Sequence, residues 1–251
     1  MKRIFGMALV AALAGGYGTS ILADDEVAKA ALEKAIKALG GEEKLAKAEA
    51  FTWISKGKLI INGHDNSFTS HVTVQGLDRY HSEFEGEFNG NTDKRVTVVK
   101  GDKGWRKHGG QLREMTKDQV ATEKRFIYLM VVPTTLVALK GEGFELAAAG
   151  EEKVGEKPAV AVKGKGPDGK DFTIYFDKES GVPIKLATKM TGGMGEEFTI
   201  ETTFDGYKDF DGIQKATKIQ SHRDGEKFLD AELTEFKIVD KVDASTFDEP
   251  K

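Results

Sequence analysis

The chain has 251 residues, of which 39% are apolar and 31% charged, and 22 are aromatic. That apolar and aromatic content rules out a disordered chain and supports a packed core, and the length fits one large β-rich domain or two small ones. The net charge of −4 comes without any long basic run, so nothing provides the electrostatic footprint of a nucleic-acid partner. The absence of cysteine excludes disulfides, thiolate metal sites and a cysteine nucleophile.

Residues 1–23 read as a secretory signal. Lys2 and Arg3 form a positive start, Ile4 to Leu22 is apolar and small, and Ala23 supplies the small residue before Asp24-Asp25-Glu26. Cleavage near Ala23 is expected, leaving 24–251 as a single exported domain. Asp24 and Asp25 would cap a helix with the stripe Val27, Ala31/Leu32, Ala35/Ile36 and Leu39, stopped by Gly40-Gly41. A short helical piece, Glu42 to Ala48, follows.

From Phe51 the period changes to two. Phe68, Val72 and Val74 alternate with polar residues, as do Tyr80, Phe84 and Phe88, then Val96 and Val98. Asn62-Gly63, Asn89-Gly90 and Gly101-Asp102-Lys103-Gly104 are turn signals between these runs, because Asn, Asp and Gly tolerate positive φ. The alternation stops between about Thr116 and Lys140. There Phe126 to Leu139 is almost uniformly apolar, and Pro133 predicts a break into two short, lid-like helices. Strands resume with Phe172, Ile174 and Phe176, then Val182, Ile184 and Leu186, then Phe198 to Phe204, and finally Thr234, Phe236 and Ile238. Short turns at Pro167-Asp168-Gly169, Glu179-Ser180-Gly181, Asp205-Gly206, Asp211-Gly212 and Asp224-Gly225 make this an antiparallel meander. The expected fold is α+β: a strongly curved antiparallel sheet or incomplete β-barrel, with an N-terminal helix and a central helical cover.

Catalytic motifs fail on context. Gly164-Lys-Gly166-Pro-Asp-Gly169 has dinucleotide-binding spacing, but a strand rather than a helix follows it, and Pro167 removes an amide. Asp209-Phe-Asp211-Gly212 resembles part of a calcium loop, yet Tyr207 and Lys218 occupy the terminal ligand positions. The histidines, His71 and His81 among them, show no metal-ligand spacing. The reading is therefore of a non-enzyme without metal or cofactor. The apolar material offers a hollow suited to acyl chains, lined by Trp53, Phe68, Val72, Tyr80, Phe84, Phe88 and Trp105 from the sheet. Phe126, Leu129, Met130 and Leu136 would line it from the cover.

Two stretches carry a family resemblance: Tyr175-Phe-Asp-Lys-Glu-Ser-Gly-Val-Pro-Ile-Lys-Leu186 and Phe204-Asp-Gly-Tyr-Lys-Asp-Phe-Asp-Gly-Ile213. With Gln75-Gly-Leu-Asp-Arg-Tyr80 and Gly101-Asp-Lys-Gly-Trp105, the chain resembles the LolA-like outer-membrane lipoprotein-sorting family over about residues 26–250. The resemblance implies a half-barrel closed by helices, an apolar lipid cavity, no cofactor and no covalent catalysis. It also implies a periplasmic location. Expected partners are lipid or lipoprotein acyl chains, or an envelope protein, met by a monomer with at most transient membrane contact. The chain departs from the family at Leu77, where proline is usual, at Ala216, where proline is also usual and Lys215 precedes it, and at His81, where arginine is usual. If that arginine anchors the cover in the carriers, its absence points to a sensor or interaction module with a filled cavity as the alternative. Arg79 is the nearest substitute, two residues and ~6.6 Å along the strand.

Overall fold

The computed structural model describes residues 18–192 and 195–251. Most of the expected signal, residues 1–17, lies outside the described residues. Helix α1 (Gly18–Leu39) runs through the expected cleavage position, so Asp24 and Asp25 sit inside the helix instead of capping it. Its buried stripe is Ala28, Leu32, Ala35, Ile36 and Leu39, with Val27 left half exposed. Gly40 ends it at φ 135°, and a Cβ there would lie 2.4 Å from the Gly212 carbonyl oxygen. Only glycine allows that approach. A short helix α2 (Glu42–Lys47) follows.

The first half of the sheet is β1 (Ala50–Ile61), β2 (His64–Gln75), β3 (Arg79–Phe88), β4 (Asn91–Lys100), β5 (Lys103–His108) and β6 (Gln111–Glu114). The second half is β7 (Glu145–Val154), β8 (Lys157–Lys165), β9 (Asp171–Asp177), β10 (Pro183–Thr191) and β11 (Glu197–Asp205), then β14 (Lys218–Arg223) and β15 (Glu226–Ile238). A separate hairpin, β12 (Lys208–Phe210) and β13 (Ile213–Lys215), interrupts this run. Every pairing is antiparallel, in the order β6-β5-β4-β3-β2-β1-β15-β14-β11-β10-β9-β8-β7. β6 and β7 are both free edges, so the sheet is open. The expected incomplete barrel is the observed architecture.

Turn chemistry sets this order. Asn62-Gly63, Asn89-Gly90, Asp211-Gly212 and Asp224-Gly225 all hold positive φ at both residues, the geometry of type I′ hairpins.

Helix α3 (Lys117–Thr135) is the central cover. Thr116 and Gln119 form a reciprocal capping box at its start. Pro133 does not divide the segment into two helices. It falls in the last turn, where its missing N–H removes a single bond, and the helix continues to Thr135. The chain breaks instead at Leu136, with φ 61°, before a 3-10 turn over Val137–Lys140. Ile127, Leu129, Val131, Val132 and Leu136 are buried in one continuous core with Phe51, Val72, Val74, Tyr80 and Val99 of one half-sheet and Val162, Phe172, Ile174 and Leu186 of the other. One helix can touch both halves only because the sheet curves around it. Behind the sheet, a C-terminal strap places Phe247, 1% exposed, against the opposite face of β3 and β4.

Candidate functional site

The strand registers divide the sheet into two faces. Trp53, Val72, Ser82, Thr97, Arg106 and Arg113 form one cross-strand row on the concave side, and Ser55, Ser70, Phe84, Arg95, His108 and Gln111 form the next. The predicted lining residues fall into distinct groups on this map.

Val72 and Tyr80 are concave-facing and Leu129 and Leu136 come from the cover, but all four are buried in the core shared with α3. Trp53 and Met130 are half-buried at its margin. Phe68, Phe84 and Phe88 make a separate patch on the same face. Phe68 and Phe84 stack with centroids 5.5 Å apart, and Phe84 and Phe88 at 6.3 Å. None of these three rings belongs to the core packed against the cover. The Arg95 guanidinium lies 5.6 Å from the Phe84 centroid and 5.9 Å from Phe88. Trp105 pairs with Val98 and so points to the convex side, away from the cover. Phe126 is 51% exposed, on the face of α3 turned from the core.

The cover is pinned by a residue the sequence reading did not single out. Arg125 of α3 is 3% exposed and donates to Asp168 Oδ2 at 2.8 Å, to the Asp171 carbonyl at 3.0 Å and to the Lys189 carbonyl at 3.1 Å. It also donates to the Tyr128 and Thr188 hydroxyls. Tyr128 in turn donates to Asp168 Oδ1 at 2.9 Å, and burial pushes its hydroxyl well above the usual tyrosine range. Asp168 belongs to the glycine-rich segment, which is the β8–β9 turn, as expected. Its neighbour Gly166 is required by packing, since a Cβ there would meet Tyr128 Oη at 2.5 Å. A single arginine on a helix flank gives no periodic signal. Its role emerges only when the hairpin turn arrives beside it.

His81 and Arg79 both face the convex side, His81 opposite Thr73 and Val98 and Arg79 opposite Gln75 and Lys100. Neither can anchor the cover, which corrects the expectation for Arg79. Arg125 does so from the helix itself. Burial lowers the His81 imidazole below its ordinary value. His71 and His81 line an outward cleft of about 400 Å³ with Glu83 and Glu235. Among the described residues no group of three His, Asp or Glu is placed to hold a metal ion.

Lys215 of β13 reaches in beside the end of α3. Its ammonium donates to Thr134 Oγ1 at 2.6 Å and sits 5.8 Å from the Phe236 ring centroid. It makes no ion pair among the described residues, and burial lowers it to about 8. The β12–β13 hairpin is thus a second part of the cover, closed by the Phe210–Phe236 contact at 5.4 Å.

No family model matches the chain, and no curated protein matches it. Solved structures do. A LolA superfamily protein from Nitrosomonas europaea superposes with a TM-score of 0.57 at 10% identity, covering 88% of this chain and 97% of that one. A DUF1329 family protein from Desulfovibrio piger gives 0.54 at 13% identity, with 88% and 97% covered. A putative outer membrane lipoprotein-sorting protein domain from Vibrio parahaemolyticus gives 0.50 at 8% identity, with 86% and 97% covered. At such identities the likeness is one of architecture, and the open 13-stranded sheet wrapped on α1 and α3 has the LolA-like fold.

Proposed function

We propose that this protein is an exported, non-catalytic binder of an acyl chain, carried by a lipid or a lipoprotein, and that it moves this cargo through the periplasm. The observation that carries the reading is the Phe68–Phe84–Phe88 patch, concave-facing yet outside the core sealed by α3. An acyl chain laid over these rings would reach toward Trp53 and Met130 at the margin of the cover. Each methylene buried this way contributes about 0.8 kcal/mol, so area alone can hold a chain without a charged clamp. The signal-like residues 1–23 and the likeness to the lipoprotein-sorting domain of Vibrio parahaemolyticus support an exported, lipoprotein-related role.

Native mass spectrometry of protein purified without detergent from an envelope extract tests this. A reproducible mass excess that fragments into acyl chains is expected, and Phe84→Asp should remove it while the circular dichroism stays unchanged. A clean apo mass for the wild type would sink the reading.

A second reading is favoured by the burial of Leu129, Leu136 and Tyr80 among the protein's own side chains. If the interior stays filled, the same scaffold serves as a sensor or interaction module for an envelope protein. Crosslinking in the envelope would then recover one reproducible protein partner, and recovery of lipid alone would count against it.

A further inference from the structure

We propose that the concave face of β5 and β6 holds a phosphate group between Arg106 and Arg113, at the edge of the aromatic patch. This deepens the acyl-binding reading, on which it rests for the lipid part of the ligand.

The register sets Arg106 directly opposite Arg113. Like charges at facing positions of an antiparallel pair destabilise it unless something neutralises them. Glu123 of α3 pairs with Arg106. Arg113 has no carboxylate within 4.0 Å among the described residues, and its Nη2 donates only to Gln111 Oε1 at 3.0 Å. His108 lies on the same face, with its Nε2 2.7 Å from Asp93. Together with Gln111 and Gln119 these side chains border a cleft of about 270 Å³, which Glu114 also flanks.

Residue choice points the same way. Arginine is scarce in this chain, at seven of 37 cationic residues, yet Arg95, Arg106 and Arg113 share one face of three adjacent strands. A guanidinium presents a planar fork of donors that fits two phosphate oxygens at once, which an ammonium cannot do. Arg95 covers Phe84 and Phe88, so the cationic row and the apolar patch are contiguous. That juxtaposition suits an amphiphile with a phosphate head on Arg106 and Arg113 and a tail over the rings. Free phosphate has the same head chemistry without the tail.

Calorimetry on the full chain distinguishes these, with three probes, dihexanoyl phosphatidic acid, dihexanoylglycerol and inorganic phosphate, the two lipids kept below the concentrations at which they aggregate. The phosphatidic acid should bind about tenfold or more tighter than dihexanoylglycerol, as charge-assisted bonds to one guanidinium imply. Arg113→Gln should erase that preference, and Arg113→Lys should restore only part of it. Binding of inorganic phosphate as tight as that of the lipid, and lost in Arg113→Gln, would keep the anion site while removing its lipid part. Equal binding of the two lipids, or a preference that survives Arg113→Gln, would overturn the inference. In that case an intact Phe84-dependent affinity for dihexanoylglycerol would leave the acyl-binding reading standing.

Discussion

Replacing Asp168 with asparagine removes the carboxylate that pairs directly with the buried Arg125 guanidinium, and the cost follows from the geometry. Arg125 is 3% exposed and Asp168 25%. Breaking a fully buried pair by deleting one partner costs about 3–5 kcal/mol, because the other charge is left without compensation. Partial hydration of Asp168 places Asp168→Asn at the lower end, about 3 kcal/mol. For a chain of this size that is a fall in Tm of about 6–12 °C. The double variant Arg125→Met/Asp168→Asn should lose less than Asp168→Asn alone, since no buried cation remains. The Asp171 carbonyl that Arg125 leaves behind keeps another donor, for Thr188 Oγ1 also bonds it at 2.9 Å. Urea unfolding followed by far-ultraviolet circular dichroism and by Trp53 and Trp105 fluorescence reads these differences, provided the slope m is unchanged. A change within about 0.5 kcal/mol for Asp168→Asn would mean that the pair behaves as an exposed one, and the account of the cover's anchor would fail.

Gly166→Ala drives a Cβ against Tyr128 Oη and should cost about 1–3 kcal/mol by overpacking the same junction, measurable in the same urea titration. Wild-type stability at Gly166→Ala would refute that contact. For Lys215, the ammonium binds its proton less tightly in the folded chain, near 8, than at the ordinary 10.5. Stability should therefore rise as pH climbs from about 8 towards 10.5, with the full penalty present below that window. The side chain is only half-buried, so the gain is about 2 kcal/mol, less than the whole shift implies. Lys215→Met should flatten this rise in chemical denaturation at pH 7, 8.5 and 10. An identical rise in the variant would assign it to other groups.

Local chemistry is legible in this sequence wherever a residue's own backbone preference decides the outcome. Asn62-Gly63, Asn89-Gly90, Asp211-Gly212 and Asp224-Gly225 each became a hairpin, since few other residues take two successive positive φ angles, whereas at Asp168-Gly169 and Asp205-Gly206 only the glycine does. The period of two marked the strands, and the period near 3.6 marked α1. What alternation cannot say is which side of one strand shares a face with the next, because register is a relation between strands. That is why Trp105, aromatic and on a strand, lies on the convex side with Val98, while Arg95 and Arg106 turn to the concave one. Pro133 read as a break, yet one missing hydrogen bond in a final turn is outweighed by the buried helix face around it. Arg125 lies about forty residues of chain before Gly166 and Asp168 and shares no motif with them. Only the folding of the β8–β9 turn onto α3 gives them a common role, because burial there makes a charge that would be unremarkable in water depend on its partner.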